Sequence, residues 1–294
     1  MRPDALAGWD RDDLAAALAA FRVTMDLLPD GWPRPADGEG PEFFVRAFEA
    51  GPAFPPALLT GYYEPELEGR LTPDARFRHP LCAPPEGWQE GQVWASRAQI
   101  EEGRLLAGRE ILWLDDALEA FLVQVQGSCR VRLADGTVVR LGYAGKNGHP
   151  YSSIGKILLA RGDLDPADVS VDAIRAWAAL HPGQVPGLLR QNASFVFFRR
   201  LDLPADRGPI GAMGRSVTAG RTVAVDPGHV TLGAPVWMEW DGQARLCIAQ
   251  DRGSAILGPG RADLFCGSGA GAGAVAGRLK ASAVMVPLLP RSPA

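Results

Sequence analysis

Two aspartates, Asp251 and Asp263, stand at the edges of one glycine- and proline-broken loop inside Ile248–Gly269, IAQDRGSAILGPGRADLFCGSG. The apolar run Leu246-Cys247-Ile248-Ala249 leads into the first, and Leu264-Phe265-Cys266 leads out of the second. The pattern predicts strand, loop, strand, with one carboxylate at each loop edge. Two carboxyl groups brought together at the mouth of a β structure suit acid/base chemistry, because the charge of one disfavours that of the other and raises a pKa. Turn capping, the ordinary work of loop aspartates, is the competing reading.

Other chemistry-bearing residues cluster in three stretches. Ala57–Glu64, ALLTGYYE, is rich in strand formers and sets Tyr62 and Tyr63 side by side, so they point to opposite faces of a strand that Pro65 stops. Tyrosines at a strand end suit sugar stacking as well as core packing. Leu122–Gly127, LVQVQG, is expected as a strand with Gln124 and Gln126 on one face, fit for hydrogen bonding to a polar ligand or simply solvated. Gly142–Lys156, GYAGKNGHPYSSIGK, gathers Tyr143, Tyr151, Asn147, His149 and two of the three lysines, Lys146 and Lys156, in a turn-rich loop. It lacks the GxxxxGK[ST] spacing of a phosphate loop.

The surrounding elements must position these groups. Residues 10–28 read as an amphipathic helix capped by Asp10, and Glu42–Ala50 as a second helix burying Phe44 and Phe48. Ser96 opens a capping box, and Asp115–Ala120 reads as a short helix feeding the Leu122 strand. Hairpins are expected at Arg130–Leu141, turning at Asp135-Gly136, and at Val236–Ala249, turning at Asp241-Gly242. Ser194–Arg199 and Thr222–Val225 read as strands, and Val171–Leu180 as a helix capped by Ser170. Residues 202–221 read as a linker, and the proline-containing tail Val286–Ala294 as frayed at its end. Many short, turn-separated strands with short helices indicate a β-rich α+β protein with a barrel or sandwich core.

Composition narrows the function. With 294 residues, 47% apolar and 22% charged, the chain can bury a sizeable core in one or two domains. A net charge of −4 argues against a nucleic-acid binder. Four cysteines (Cys82, Cys129, Cys247, Cys266) and four scattered histidines show no CxxC, HExxH or zinc spacing, so no metal or cofactor is expected, and the cysteines read as buried thiols, with a disulfide as the alternative that spacing does not assign. No apolar run reaches the length of a membrane span, and MRPDALAGWDRDD carries no signal-peptide core, which suits a cytoplasmic protein or one whose export signal has been removed.

Six segments in order carry a resemblance: TGYYEP (60–65), VQVQGS (123–128), GKNGHPYSSIGK (145–156), NASFVFF (192–198), AVDPGH (224–229) and AQDRGSAILGPGRADLFCGSG (249–269). Together they resemble the membrane-bound lytic murein transglycosylase A family, with a C-terminal 3D domain whose three aspartates are matched by Asp226, Asp251 and Asp263. The resemblance implies a mainly β fold. A double-psi β-barrel would be built from residues 1–65 plus 202–294, with a smaller β-domain, 66–201, inserted and a glycan groove between them. It implies cleavage of the β-1,4 bond between N-acetylmuramic acid and N-acetylglucosamine in peptidoglycan, with 1,6-anhydromuramic acid ends. Asp263 matches the single catalytic acid, Asp251 its supporting carboxylate and Asp226 a structural acid. Thr60, Tyr62, Tyr63, Gln124, Gln126, Tyr143, Asn147 and Lys156 would bind the glycan. The family also implies a periplasmic, outer-membrane-anchored form, although no lipobox cysteine precedes the domain. Cys129, Ala193 and Arg252 depart from the family's pattern, and Arg252 is placed to lower the pKa of a neighbouring carboxylate. A water-using glycosidase on a similar barrel and a non-catalytic wall-binding module remain the alternatives.

Overall fold

The structure, a computed structural model, describes residues 1–291. In chain order the elements are α1 (Leu14–Thr24), α2 (Glu42–Ala47), β1 (Phe48–Ala50), β2 (Phe54–Glu64), β3 (Glu66–Glu68), β4 (His79–Cys82), α3 (Arg97–Glu102), β5 (Glu110–Leu114), α4 (Ala117–Gln126), β6 (Ser128–Arg132) and β7 (Val138–Lys146). There follow α5 (Ile154–Arg161), α6 (Val171–Leu180), α7 (Val185–Leu189), β8 (Val196–Leu201), β9 (Thr222–Ala224), β10 (Pro235–Trp240), β11 (Gln243–Asp251), β12 (Arg261–Ser268), α8 (Gly269–Arg278) and β13 (Lys280–Pro290). Helix and strand are nearly balanced, at about 26% and 29%, so the chain is a mixed α/β protein and not a mainly β one.

The chain divides into two compact units: Met1–Tyr63 with Ala205–Ala294, and Glu64–Pro204. In the first, seven strands run in the order β1-β13-β10-β11-β9-β12-β2, and β13 also pairs with β2. That last pairing joins β13, β10, β11, β9, β12 and β2 into a closed ring. Closure leaves no free edge in the ring, which removes a template for aggregation.

Alternation along the strands builds two cores. Val236, Met238, Cys247, Ala249, Ala262, Leu264 and Met285 fill the ring's interior with Ala57 and Leu59. Their sequence neighbours Trp237, Ile248, Val286 and Leu288 face outward, onto a cluster containing Trp9, Phe21, Phe43, Phe44 and Phe48 from the N-terminal segment. Phe21 packs edge-on against Phe44 at 5.7 Å, and Trp9 meets Trp237 at 5.2 Å. Buried Asp12 accepts from Leu246 N and pairs with Arg221, which pins this segment to the sheet.

The second unit holds the sheet β3-β6-β7-β8 and the pair β4-β5, with α3 to α7 around them. Glu64, fully buried, accepts from Arg130 at 2.7 Å and Arg140 at 2.9 Å. Removing one partner of such a buried cluster costs more than the pair contributes.

Three sequence expectations are corrected. Leu122–Gly127 is not a strand: its residues complete α4, which begins at Ala117 under an Asp116 side-chain cap and ends at Gly127 in the left-handed region. The alternating valines and glutamines imitate a strand, but the cap and the preceding apolar residues propagate the helix. Asp13, and not Asp10, caps α1. Val286–Pro290 is the end of strand β13 and Arg291 N donates to Ala47 O, while the end of the tail expected to fray, residues 292–294, lies outside the described residues.

Candidate active site

Asp251 ends β11 and Asp263 lies near the start of β12, with β9 between them. Both pair in register with the same residue, Ala224 of β9. A register shift between Ala249 and Asp251 inserts Gln250, so Asp251 takes the place opposite Ala224 that Gln250 would otherwise hold. Such a bulge re-aims a side chain. Here it brings Asp251 onto the outer face of the ring, where Asp263 already points because Ala262 and Leu264 face inward. Gln250, next to it, is fixed elsewhere, donating to Ala20 O and Thr24 Oγ1.

The outer face of β2 supplies the partners. With Ala57 and Leu59 turned inward, Thr60 and Tyr62 project outward. Thr60 Oγ1 donates to Asp263 Oδ1 at 2.5 Å, and Tyr62 Oη donates to Asp251 Oδ2 at 2.8 Å. Tyr62 also packs on Phe265 with ring centroids 5.2 Å apart. Gly61 between them is required by close packing: a Cβ there would meet Ala276 Cα at 2.8 Å and Cys266 Sγ at 3.0 Å.

The two carboxyls are bonded differently. Asp251 Oδ1 also accepts from Ala212 N at 3.0 Å and Arg252 N at 2.9 Å. Three of its roughly four acceptor positions are thus used. Burial raises the Asp251 pKa, while Tyr62, the two amides and the Arg252 charge pull it back. Among the described residues Thr60 is the one donor to Asp263, and burial pushes the Asp263 pKa up to about 6 against Thr60 and Arg261, with a further push from Asp251. Burial, then the Asp251 charge, lifts the Tyr62 hydroxyl well above its ordinary value, so it stays a neutral donor. Asp226 is a turn residue: Gly258 N and Gly228 N donate to its two oxygens and lower its pKa.

The model of the MltA-specific insert domain matches residues 58–199, and that of the 3D domain matches residues 221–289. The crystal structure of a membrane-bound lytic murein transglycosylase from Agrobacterium tumefaciens is similar at a TM-score of 0.86 and 33% identity, covering 99% of this chain and 97% of that one. The chain belongs to the membrane-bound lytic murein transglycosylase A family. The membrane-bound lytic murein transglycosylase A of Escherichia coli (strain K12) is 35% identical over 229 residues, 74% of this chain. The chain spans 62% of the length of that relative. The crystal structure of E. coli MltA with bound chitohexaose is similar at a TM-score of 0.75 and 28% identity, covering 95% of this chain and 85% of that one.

The family's motif segments in the second unit converge on a buried network. Gln124 Oε1 accepts from Arg97 Nη2 at 2.6 Å and from Val196 N at 3.1 Å. Asn147 donates to Ala95 O and Ala193 O and accepts from Phe195 N. Asn192 Oδ1 accepts from Ser152 N and Ser194 N. Both Gln124 and Asn147 are buried and spent on holding the 192–196 segment. Gln126 is half-buried at the end of α4, and so does not share a strand face with Gln124. Tyr143 is exposed and donates to Glu90, and Lys156 is exposed on α5. Tyr63, in the first unit, packs its ring beside Gly273 of α8.

The departures from the family's pattern are locally absorbed. Cys129 lies in the core of the second unit, where burial raises its thiol pKa; Cys82, Cys247 and Cys266 are free thiols too. Ala193 contributes only its carbonyl, to Asn147 and Arg97 N. Arg252 lowers the Asp251 pKa but is outweighed by burial. Arg261 is the residue that sequence reasoning missed: two positions before Asp263 on the same strand, it opposes the rise of the Asp263 pKa. Its spacing of two was the available signal. Among the described residues, no group of three His, Cys, Asp or Glu side chains is placed to hold a metal, and no helix is long and apolar enough to cross a membrane.

Proposed function

We propose that this chain is a peptidoglycan lytic transglycosylase that cleaves the β-1,4 bond between N-acetylmuramic acid and N-acetylglucosamine, with Asp263 as its single general acid/base. The observation that carries the reading is the contrast between the two carboxyls: Asp263 is raised to about 6 with one side-chain donor, while Asp251 is committed to three donors. A raised carboxyl can hold a proton for a leaving group. A carboxylate already accepting three bonds is poorly placed to activate a water, the second role a hydrolase needs.

The steps balance with one acid. Asp263 gives its proton to the glycosidic oxygen as the bond from C1 to that oxygen breaks. The C6 hydroxyl oxygen of the same muramic acid residue bonds to C1, and its proton passes to the Asp263 carboxylate. The 1,6-anhydro ring forms and the acid is restored. The nucleophile is intramolecular, so no positioned water is needed. Thr60 orients Asp263, and Tyr62 with Asp251 supports it. The first unit, which we read as a double-psi β-barrel of residues 1–65 plus 202–294, carries this chemistry. The inserted domain, 66–201, adds glycan contacts through Gln126, Tyr143 and Lys156, with Gln124 and Asn147 as its scaffold. A peptidoglycan substrate goes with a periplasmic protein, and outer-membrane anchoring is part of the same proposal, the relatives being named membrane-bound.

Fragment release from purified murein sacculi tests this reading. Asp263→Asn is expected to lose roughly 10²–10⁴-fold in rate while its circular dichroism is unchanged. A folded Asp263→Asn protein with near-normal turnover overturns it.

A further inference from the structure

The Glu64–Pro204 unit contains a cavity of about 450 Å³, within the ~300–1,000 Å³ range of small-molecule sites. None of Thr60, Tyr62, Asp251 and Asp263 lines it. Its apolar walls include Ile100, Leu106, Trp113, Phe121 and Phe195.

The charged lining is unbalanced. Four arginines and two glutamates face the cavity, in a chain whose net charge is −4. Two of the arginines are neutralised: Arg190 donates to Glu101 and Glu102, and buried Arg97 contacts Glu101 and stacks on Phe121 and Phe195 at 4.7 and 5.0 Å. The other two, Arg78 and Arg104, are exposed, and their guanidinium groups have no hydrogen bond or ion pair among the described residues. Arg104 is moreover one of two non-glycine residues in the left-handed region among the described residues, at φ 50°. Non-glycine residues held in this region gather at ligand sites.

We propose that this cavity binds a small organic carboxylate, a carboxyl group carried on an apolar stem of about dipeptide size, through Arg78 and Arg104. A guanidinium matches a planar carboxylate with two parallel N–H bonds. The apolar walls fit the stem and give nothing to a bare inorganic anion. A peptide C-terminus and a simple organic acid share this chemistry.

Calorimetric titration of the intact chain with N-acetyl-alanyl-alanine, its C-terminal amide, hexanoate and inorganic phosphate tests the proposal. Binding is measured without turnover, so its outcome is independent of the cleavage reading. The free-acid peptide or hexanoate is expected to bind, the first pointing to a peptide terminus and the second to a simple organic acid. Arg78→Gln and Arg104→Gln, exposed changes that leave the core intact, are each expected to weaken that binding roughly tenfold, as is amidation of the peptide. No heat from either acid at ~10 mM, equal binding of peptide acid and amide, tighter binding of phosphate, or binding unaffected by both substitutions overturns it.

Discussion

Asp251 and Asp263 lie opposite the same residue, Ala224, one on each side of the strand that carries it. Two strand spacings put their backbones roughly 9–10 Å apart on one face of the sheet. Asp251 is the smallest named contributor to the rise at Asp263, and burial is the largest. The asymmetry between the acids comes from what donates to each, and four outcomes follow from it and from the buried network of the second unit.

The raised Asp263 pKa carries a stability signature. Its folded value is about 6, above the ordinary unfolded value of ~3.9, so the native state binds the proton more tightly. The contribution is fully present below about pH 4 and is lost as pH rises through about 6. Asp263→Asn, which keeps the shape without the charge, is therefore expected to be more stable than the parent at pH 7.5, by roughly 1–3 kcal/mol. The gap should shrink to near zero at pH 4. Urea melts at the two pH values measure it, and an equal gap at both contradicts the assignment.

Thr60→Val deletes the hydroxyl that donates to Asp263 while keeping the side-chain volume. That bond lowers the Asp263 pKa, so its loss lets the pKa climb further. The high-pH limb of murein cleavage, where the acid loses its proton, should move to higher pH. A pH–rate profile that falls in rate without any shift of this limb speaks against Thr60 acting on Asp263.

Gln124 is expected to show in stability before activity. Gln124→Ala leaves Val196 N without its side-chain acceptor and leaves Arg97 Nη2 with Ser194 O alone inside the second unit. Losing an acceptor of this kind costs about 1–3 kcal/mol. Thermal melting should register that loss. An unchanged melting temperature together with weakened glycan binding would return Gln124 to direct substrate contact.

Much of the candidate site was legible because local patterns agreed with tertiary structure. The strand, loop, strand around Asp251 and Asp263 follows from apolar runs broken by Gly and Pro, and it recurs as β11 and β12. The Asp241-Gly242 hairpin and the Ser96 capping box did the same. What stayed hidden depends on long-range pairing. Residues 286–290 read as tail because their prolines and leucines carry no alternation, yet β13 is held by β1, β10 and β2 together. The bulge at Gln250 is invisible in sequence, although it decides which side chain stands opposite Ala224. Gln124 and Gln126 misled because VQVQ satisfies a period of two while the Asp116 cap commits the segment to a helix.

Mass spectrometry of the soluble products released from purified murein sacculi distinguishes the C6 hydroxyl from water as the nucleophile. Fragments are expected to end in 1,6-anhydromuramic acid, one water lighter than reducing-end sugars, because the C6 hydroxyl is the nucleophile. Fragments with reducing ends would make water the nucleophile, require a second catalytic base, and contradict the assignment of Asp263 as the single acid/base.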